Sequence, residues 1–111
     1  MSSPSEFEIT SYQDENGLEP FSNWVSKLNF KLQNIVVSRL NRIKLGNFGD
    51  CKHLEGKLYE LRIHIDAGYR IYFSREGKKI ILLLCAGDKS SQKKDIKKAQ
   101  NLLEKYHLKK D

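Results

Sequence analysis

Two neighbouring segments constrain this chain more than any other feature. Tyr59, Leu61, Ile63 and Ile65 alternate with Glu60, Arg62 and His64, and Tyr69, Ile71 and Phe73 alternate with Arg70, Tyr72 and Ser74. Period-2 alternation belongs to strands, because successive side chains point to opposite faces of a sheet. Asp66-Ala67-Gly68 lies between the segments and supplies a tight turn. The pair therefore predicts an antiparallel hairpin with one apolar and one polar face. A lone hairpin is marginal in water, so other elements must cover the apolar face.

The flanking sequence supplies them. Phe7 to Tyr12 reads as a short first strand. Pro20 suits the first position of a helix, where its missing N–H costs nothing. Phe21, Trp24, Val25 and Leu28 then fall at i, i+3, i+4 and i+7, and Leu32, Ile35, Val36, Leu40 and Ile43 form a second helical face. Without a long linker between them these faces predict a helical hairpin, which Gly46 stops. Ile80 to Ala86 is apolar without alternation, as a strand covered on both faces is. Ser90 or Ser91 is positioned to cap a last helix, with Ile96, Ala99, Leu103 and Tyr106 as its apolar stripe and Lys93, Lys94, Lys97 and Lys98 largely off it. The tail HLKKD is expected to fray. The order is β-α-α-β-β-β-α. It predicts one α+β domain over residues 1–111, with a four-stranded, mostly antiparallel sheet, an N-terminal helical hairpin and a C-terminal helix.

Composition narrows the class. The chain has 111 residues, 39% of them hydrophobic, which is ordinary for one folded domain and too high for disorder. No apolar run approaches the ~20 residues of a membrane span. The N-terminus lacks the basic and apolar regions of a signal peptide, so a cytoplasmic protein is expected. Cys51 and Cys85 are isolated and read as buried or incidental thiols. The net charge of +6 is uneven. Residues 1–51 carry 5 basic and 6 acidic side chains, whereas residues 52–111 carry 15 and 8. A basic half points to a polyanionic partner, most often nucleic acid, although a solvated lysine-rich surface gives the same count.

The polar face of the hairpin holds the chemistry. Arg62, His64, Arg70 and Tyr72 share one parity, and the short turn sets them side by side. Lys89, just past the next strand, can reach the same end of the sheet. Glu60 is the one acid at this parity, further from the turn. Arginine forks match phosphate oxygens, and a tyrosine ring can stack on a base. The same set could cut RNA without metal, through attack of the 2′-OH on the neighbouring phosphorus. That reaction needs a base, an acid and positive charge for the pentacoordinate phosphate. Arg62, Arg70 and Lys89 could supply the charge, and His64, Tyr72, Glu60 and Asp95 are the candidate proton carriers. A solvated or merely RNA-binding face is the competing reading. His53 and His107 stand alone, no zinc-ligand spacing occurs, and no glycine loop cradles a phosphate, so neither metal nor cofactor is expected. Trp24 reads as core.

Several longer strings carry a family resemblance: LGNFGD at the end of the second helix, ELRIH, GYRIYF, and LLLCAGDKSSQ followed by DI and A. They run from about Leu45 to Ala99, and the FxxWxxxL of Phe21 to Leu28 agrees. In these the chain resembles the RelE/ParE superfamily toxins of type II toxin–antitoxin modules, and within them the HigB-like addiction module killer proteins. The resemblance implies a RelE-like fold and a ribosome-dependent mRNA endoribonuclease (an mRNA interferase) that inhibits translation. It implies that Arg62, Arg70 and Lys89 hold the scissile phosphate; the polar hairpin face adds Tyr72 and His64 to the expected catalytic set, and Lys93, Lys94 and Lys97 of the last helix are the expected RNA-binding residues. It also implies a partner antitoxin, commonly a helix-turn-helix protein through which alone the toxin meets operator DNA. The C-terminal tyrosine that RelE uses in cleavage is matched here by Asp95. ParE-like toxins share the fold and poison DNA gyrase, and a degenerate member that only binds RNA or antitoxin is the third reading.

Overall fold

The computed structural model describes residues 6–109. Its elements are β1 (Glu8–Ser11), α1 (Pro20–Ser26), α2 (Phe30–Lys44), β2 (Cys51–Glu55), β3 (Leu58–Ile63), β4 (Tyr69–Glu76), β5 (Ile80–Asp88), a 3₁₀ turn (Lys89–Ser91) and α3 (Gln92–Lys109). The five strands form one mixed sheet in the order β1-β5-β4-β3-β2. β1 runs parallel to β5, and the other pairs are antiparallel.

The apolar parity packs as its sequence demands. Leu61 and Ile63 of β3, Ile71 and Phe73 of β4, and Ile81 and Leu83 of β5 form one core with Phe21 of α1 and with Val36 and Ile43 of α2. Asn29 opens α2 by accepting the Leu32 N–H on its side chain at 2.9 Å, a cap worth about 1 kcal/mol. Past the C-cap Leu45, Gly46 takes a φ of +91°, the left-handed turn that ends many helices.

Three expectations need correction. The sheet has five strands rather than four, the extra one being β2. This is an edge strand with only Cys51 and Leu54 half-buried and an irregular register between His53 and Glu55, so no alternation marks it. The polar parity of the hairpin is not a solvated face. α3 lies across it, and Tyr12, Leu58, Tyr72, Leu82, Leu84, Cys85 and Ala99 form a second core. An extra residue in β5 opposite Tyr72–Phe73 turns both Leu84 and Cys85 to that side, which is why Ile80 to Ala86 shows no alternation. Finally, of the tail expected to fray, residues 107–109 are helical, and residues 110 and 111 lie outside the described residues. α3 continues to Lys109, with His107 Nε2 bonded to the buried Glu76 at 2.8 Å.

The end of β5 meets α3 closely. Asp88 caps the 3₁₀ turn by accepting the Ser90 N–H at 2.8 Å. Ser91 donates to Asp95 at 2.5 Å. A Cβ on Gly87 would stand 1.9 Å from the Asp95 carboxylate and 2.8 Å from Ser91 Oγ, so only glycine lets the helix start here. Both thiols are free and kept protonated by burial, Cys51 pushed up to about 11 and Cys85 to about 12. No helix among the described residues is long and apolar enough to cross a membrane.

Candidate functional site

The β3–β4 connection, residues 64–68, bends through Asp66 at φ +51° and Gly68 at φ +74°. The bend opens a cleft of about 400 Å³ lined by Arg62, His64, Asp66, Gly68, Arg70 and Lys89, among others. Four of the five expected catalytic residues therefore meet at one place, and four lining groups can carry positive charge. A larger groove, about 680 Å³, runs between α3 and the β2–β3 hairpin. Its lining of Glu55, Lys57, Leu58, Leu103, Glu104 and His107 mixes both signs of charge with apolar surface.

Arg62 and Arg70 are direct cross-strand partners. Like charges so placed destabilise a sheet unless something neutralises them. Glu60, completely buried one step further along the same face, does this. One carboxylate oxygen accepts from Arg62 Nε at 2.8 Å, and the other lies 3.9 Å from Arg70 Nε. Gln92, the first residue of α3, donates to that second oxygen at 2.9 Å. Burial alone would push the Glu60 carboxyl up, but the hydrogen bonds from Arg62 and Gln92 outweigh it and hold it below the usual carboxylate range. Arg70 Nη1 donates to the Gly68 carbonyl at 3.1 Å, tying the guanidinium to the loop. The Arg62 side chain is 30% exposed and that of Arg70 12%.

The other residues divide. His64 is exposed, and its Nε2 pairs with an oxygen of Asp50, whose backbone carbonyl also accepts the Arg62 N–H at 2.9 Å. Lys89 is exposed at the end of β5. Tyr72 departs from expectation. It faces Glu60 across the strands, fully buried, so its ring is closed to a stacking base. Burial first, and then the Glu60 charge, raise its hydroxyl well above the phenolic range, so it stays protonated. Asp95 is engaged by Ser91 under Gly87. Lys93, Lys94 and Lys97 are exposed on the first turns of α3.

Sequence reasoning missed Asp50 and Gln92. Neither stands at a telling spacing, since Asp50 reaches His64 from 14 residues away and Gln92 reaches Glu60 from 32.

Fold and cleft together define a small α+β protein with a cationic pocket built on a buried carboxylate. The pattern of the family described as phage derived protein Gp49-like (DUF891) matches residues 23–104. A Haemophilus influenzae protein, named only as an uncharacterized protein, is 42% identical over 89 residues, 79% of this chain and 90% of its own. The chain belongs to the Gp49-like family, a RelE-like group associated with the toxins of toxin–antitoxin modules. The assignment is to this family as a whole and not to its HigB-like members.

Proposed function

We propose that this chain is the toxin of a toxin–antitoxin module and a ribosome-dependent mRNA endoribonuclease. The observation that carries the reading is the cleft itself. Arg62, Arg70 and Lys89 line one cleft of about 400 Å³, and two of them are held from behind by a carboxylate. Preorganised cations of this kind favour the charge that develops on a pentacoordinate phosphorus.

In this mechanism the mRNA 2′-oxygen attacks the adjacent phosphorus and the bond to the 5′-oxygen breaks, leaving a 2′,3′-cyclic phosphate and a 5′-hydroxyl. The 2′-OH proton goes to a base, and the departing 5′-oxygen takes one up. Arg62 and Arg70 bind the non-bridging oxygens, and Lys89 adds charge from the cleft edge. His64 is the proton carrier best placed for exchange: Asp50 holds its Nε2, and Nδ1 is left to act. Tyr72, being enclosed, serves the packing behind Glu60 rather than the base. Lys93, Lys94 and Lys97 extend the cationic surface toward ribosomal RNA. The partner that restrains the toxin is its antitoxin.

The test is induction of the protein in growing cells with mapping of mRNA 5′ ends. New ends inside translated codons are expected. They should be absent for Arg70→Ala, whose fold near-ultraviolet circular dichroism should show intact. Growth arrest with intact mRNA and broken chromosomes would make the chain a gyrase poison instead.

A further inference from the structure

Glu60 has the residue type of a general base but the placement of something else. It is wholly buried, both of its oxygens are engaged, and α3 covers it. A carboxylate held below its usual range by its partners is also a weak base. We propose that Glu60 is a positioning residue for the cleavage step: it and Gln92 fix the two facing arginines so that their free N–H groups present to the scissile phosphate. This rests on the nuclease reading above.

The geometry supports it at each atom. A guanidinium has five N–H donors in a rigid plane, so a bond through Nε sets the direction of the other four. Arg62 donates its Nε to Glu60, which leaves both of its terminal nitrogens for a ligand. Arg70 turns its Nε toward the other oxygen and spends Nη1 on Gly68, which leaves Nη2. Arg70 Nε is buried and has no hydrogen-bond partner, so its attraction to Glu60 is electrostatic. Without the carboxylate, two cross-strand arginines repel each other. Arg62, the more exposed of the two, is then free to swing into solvent. Gln92 anchors the second oxygen to the start of α3, so the helix that covers the sheet also sets the carboxylate.

The experiment uses the full chain, programmed ribosomes and a defined mRNA. Glu60→Gln removes the charge and leaves one oxygen to satisfy two donors. Its maximal cleavage rate is expected to fall roughly 100-fold, the scale of an ångström misplacement of a catalytic group, with half-saturating ribosome concentration within about threefold of the wild type. Moving the carboxylate across the contact, in the double variant E60Q/Q92E, should recover a tenfold part of that loss, because a negative charge again faces the arginines. In ¹⁵N-arginine spectra of the free wild-type protein the Arg62 Nε–H should exchange slowly with water, and in Glu60→Gln quickly. If Glu60→Gln fails to fold, Gln92→Ala at the start of α3 replaces it, with a five- to tenfold slower cut expected. Wild-type rates in the folded variant, or a rapidly exchanging Arg62 Nε–H in the wild type, would overturn the proposal. So would loss of the acid limb of the pH–rate profile in Glu60→Gln, since that is the mark of a proton carrier. A wild-type protein that folds, shows the slow Arg62 signal and cuts no mRNA would instead sink the nuclease reading alone.

Discussion

At the scale of single residues the tightest constraint is Gly87. Its backbone dihedral is not what reserves it for glycine, since φ there is not positive. Space does: the Asp95 carboxylate and the Ser91 hydroxyl occupy the position of a side chain. Gly87→Ala is therefore expected to destabilise the protein by about 1–3 kcal/mol, the usual scale of overpacking, in urea unfolding followed by circular dichroism. Adding Asp95→Ala should return part of that loss, because the nearer obstacle is then gone. Additive losses in the double variant would show that the two positions do not touch. Arg62 and Arg70 show the converse, a local arrangement unfavourable by itself and kept by a third residue.

At the scale of elements the question is what holds α3 on the sheet. It is pinned polar at both ends and apolar in the middle. Gln92 meets Glu60 at its start, Ala99 and its neighbours pack on the second core, and His107 meets Glu76 at its end. Glu76 is buried, and burial raises its carboxyl. The hydrogen bond from His107 outweighs this and leaves it below the ordinary range. A carboxyl with a depressed folded pKa binds fewer protons in the native state than in the unfolded chain. Its stabilisation is thus present above the unfolded value of about 4.5 and lost as pH falls through the lower, folded one. Unfolding free energy should fall with acid below about pH 4.5. In Glu76→Gln that acid dependence should be shallower, and stability at pH 7 lower by about 1–3 kcal/mol. Glu60 retains its own share of the acid limb, so the slope should shrink rather than vanish. Denaturant melts between pH 3 and 7 measure both quantities. An unchanged slope would mean that Glu76 does not differ between the folded and unfolded states.

At the scale of the whole molecule the cationic excess of residues 52–111 is spread over β2 to β5, the turns between them and α3. Cations spread over a surface act on a polyanion through released counterions, and the effect is read in salt dependence rather than in one contact. Replacing Lys93, Lys94 and Lys97 together by alanine should weaken binding to ribosomes or single-stranded RNA uniformly across sequences. The slope of log affinity against log salt should drop by about 2, at ~0.7 per phosphate neutralised. A slope equal to the wild type's would place these lysines outside the interface.

The strength of the local signals decided what could be read in advance. Alternation at Tyr59–Ile65 and Tyr69–Phe73 identified both strands of the hairpin and which residues face α1 and α2, because a period of two leaves one choice of apolar face. Helical spacing placed α1, α2 and α3 for a similar reason. Arg62, Arg70, Lys89 and His64 were brought together correctly, since strand parity and a short turn alone determine that proximity. The edge strand β2 escaped, because an edge strand buries little and so carries no pattern. Above all, the sequence could not say whether the polar face was wet or covered. Parity assigns residues to a face and is silent on what packs against it. α3 reaches across the sheet through contacts between residues 30 and more positions apart. Only that tertiary contact made Glu60 and Tyr72 interior, joined Gln92 to Glu60, and left Arg62 and Arg70 backed by a buried carboxylate at the wall of an open cationic cleft.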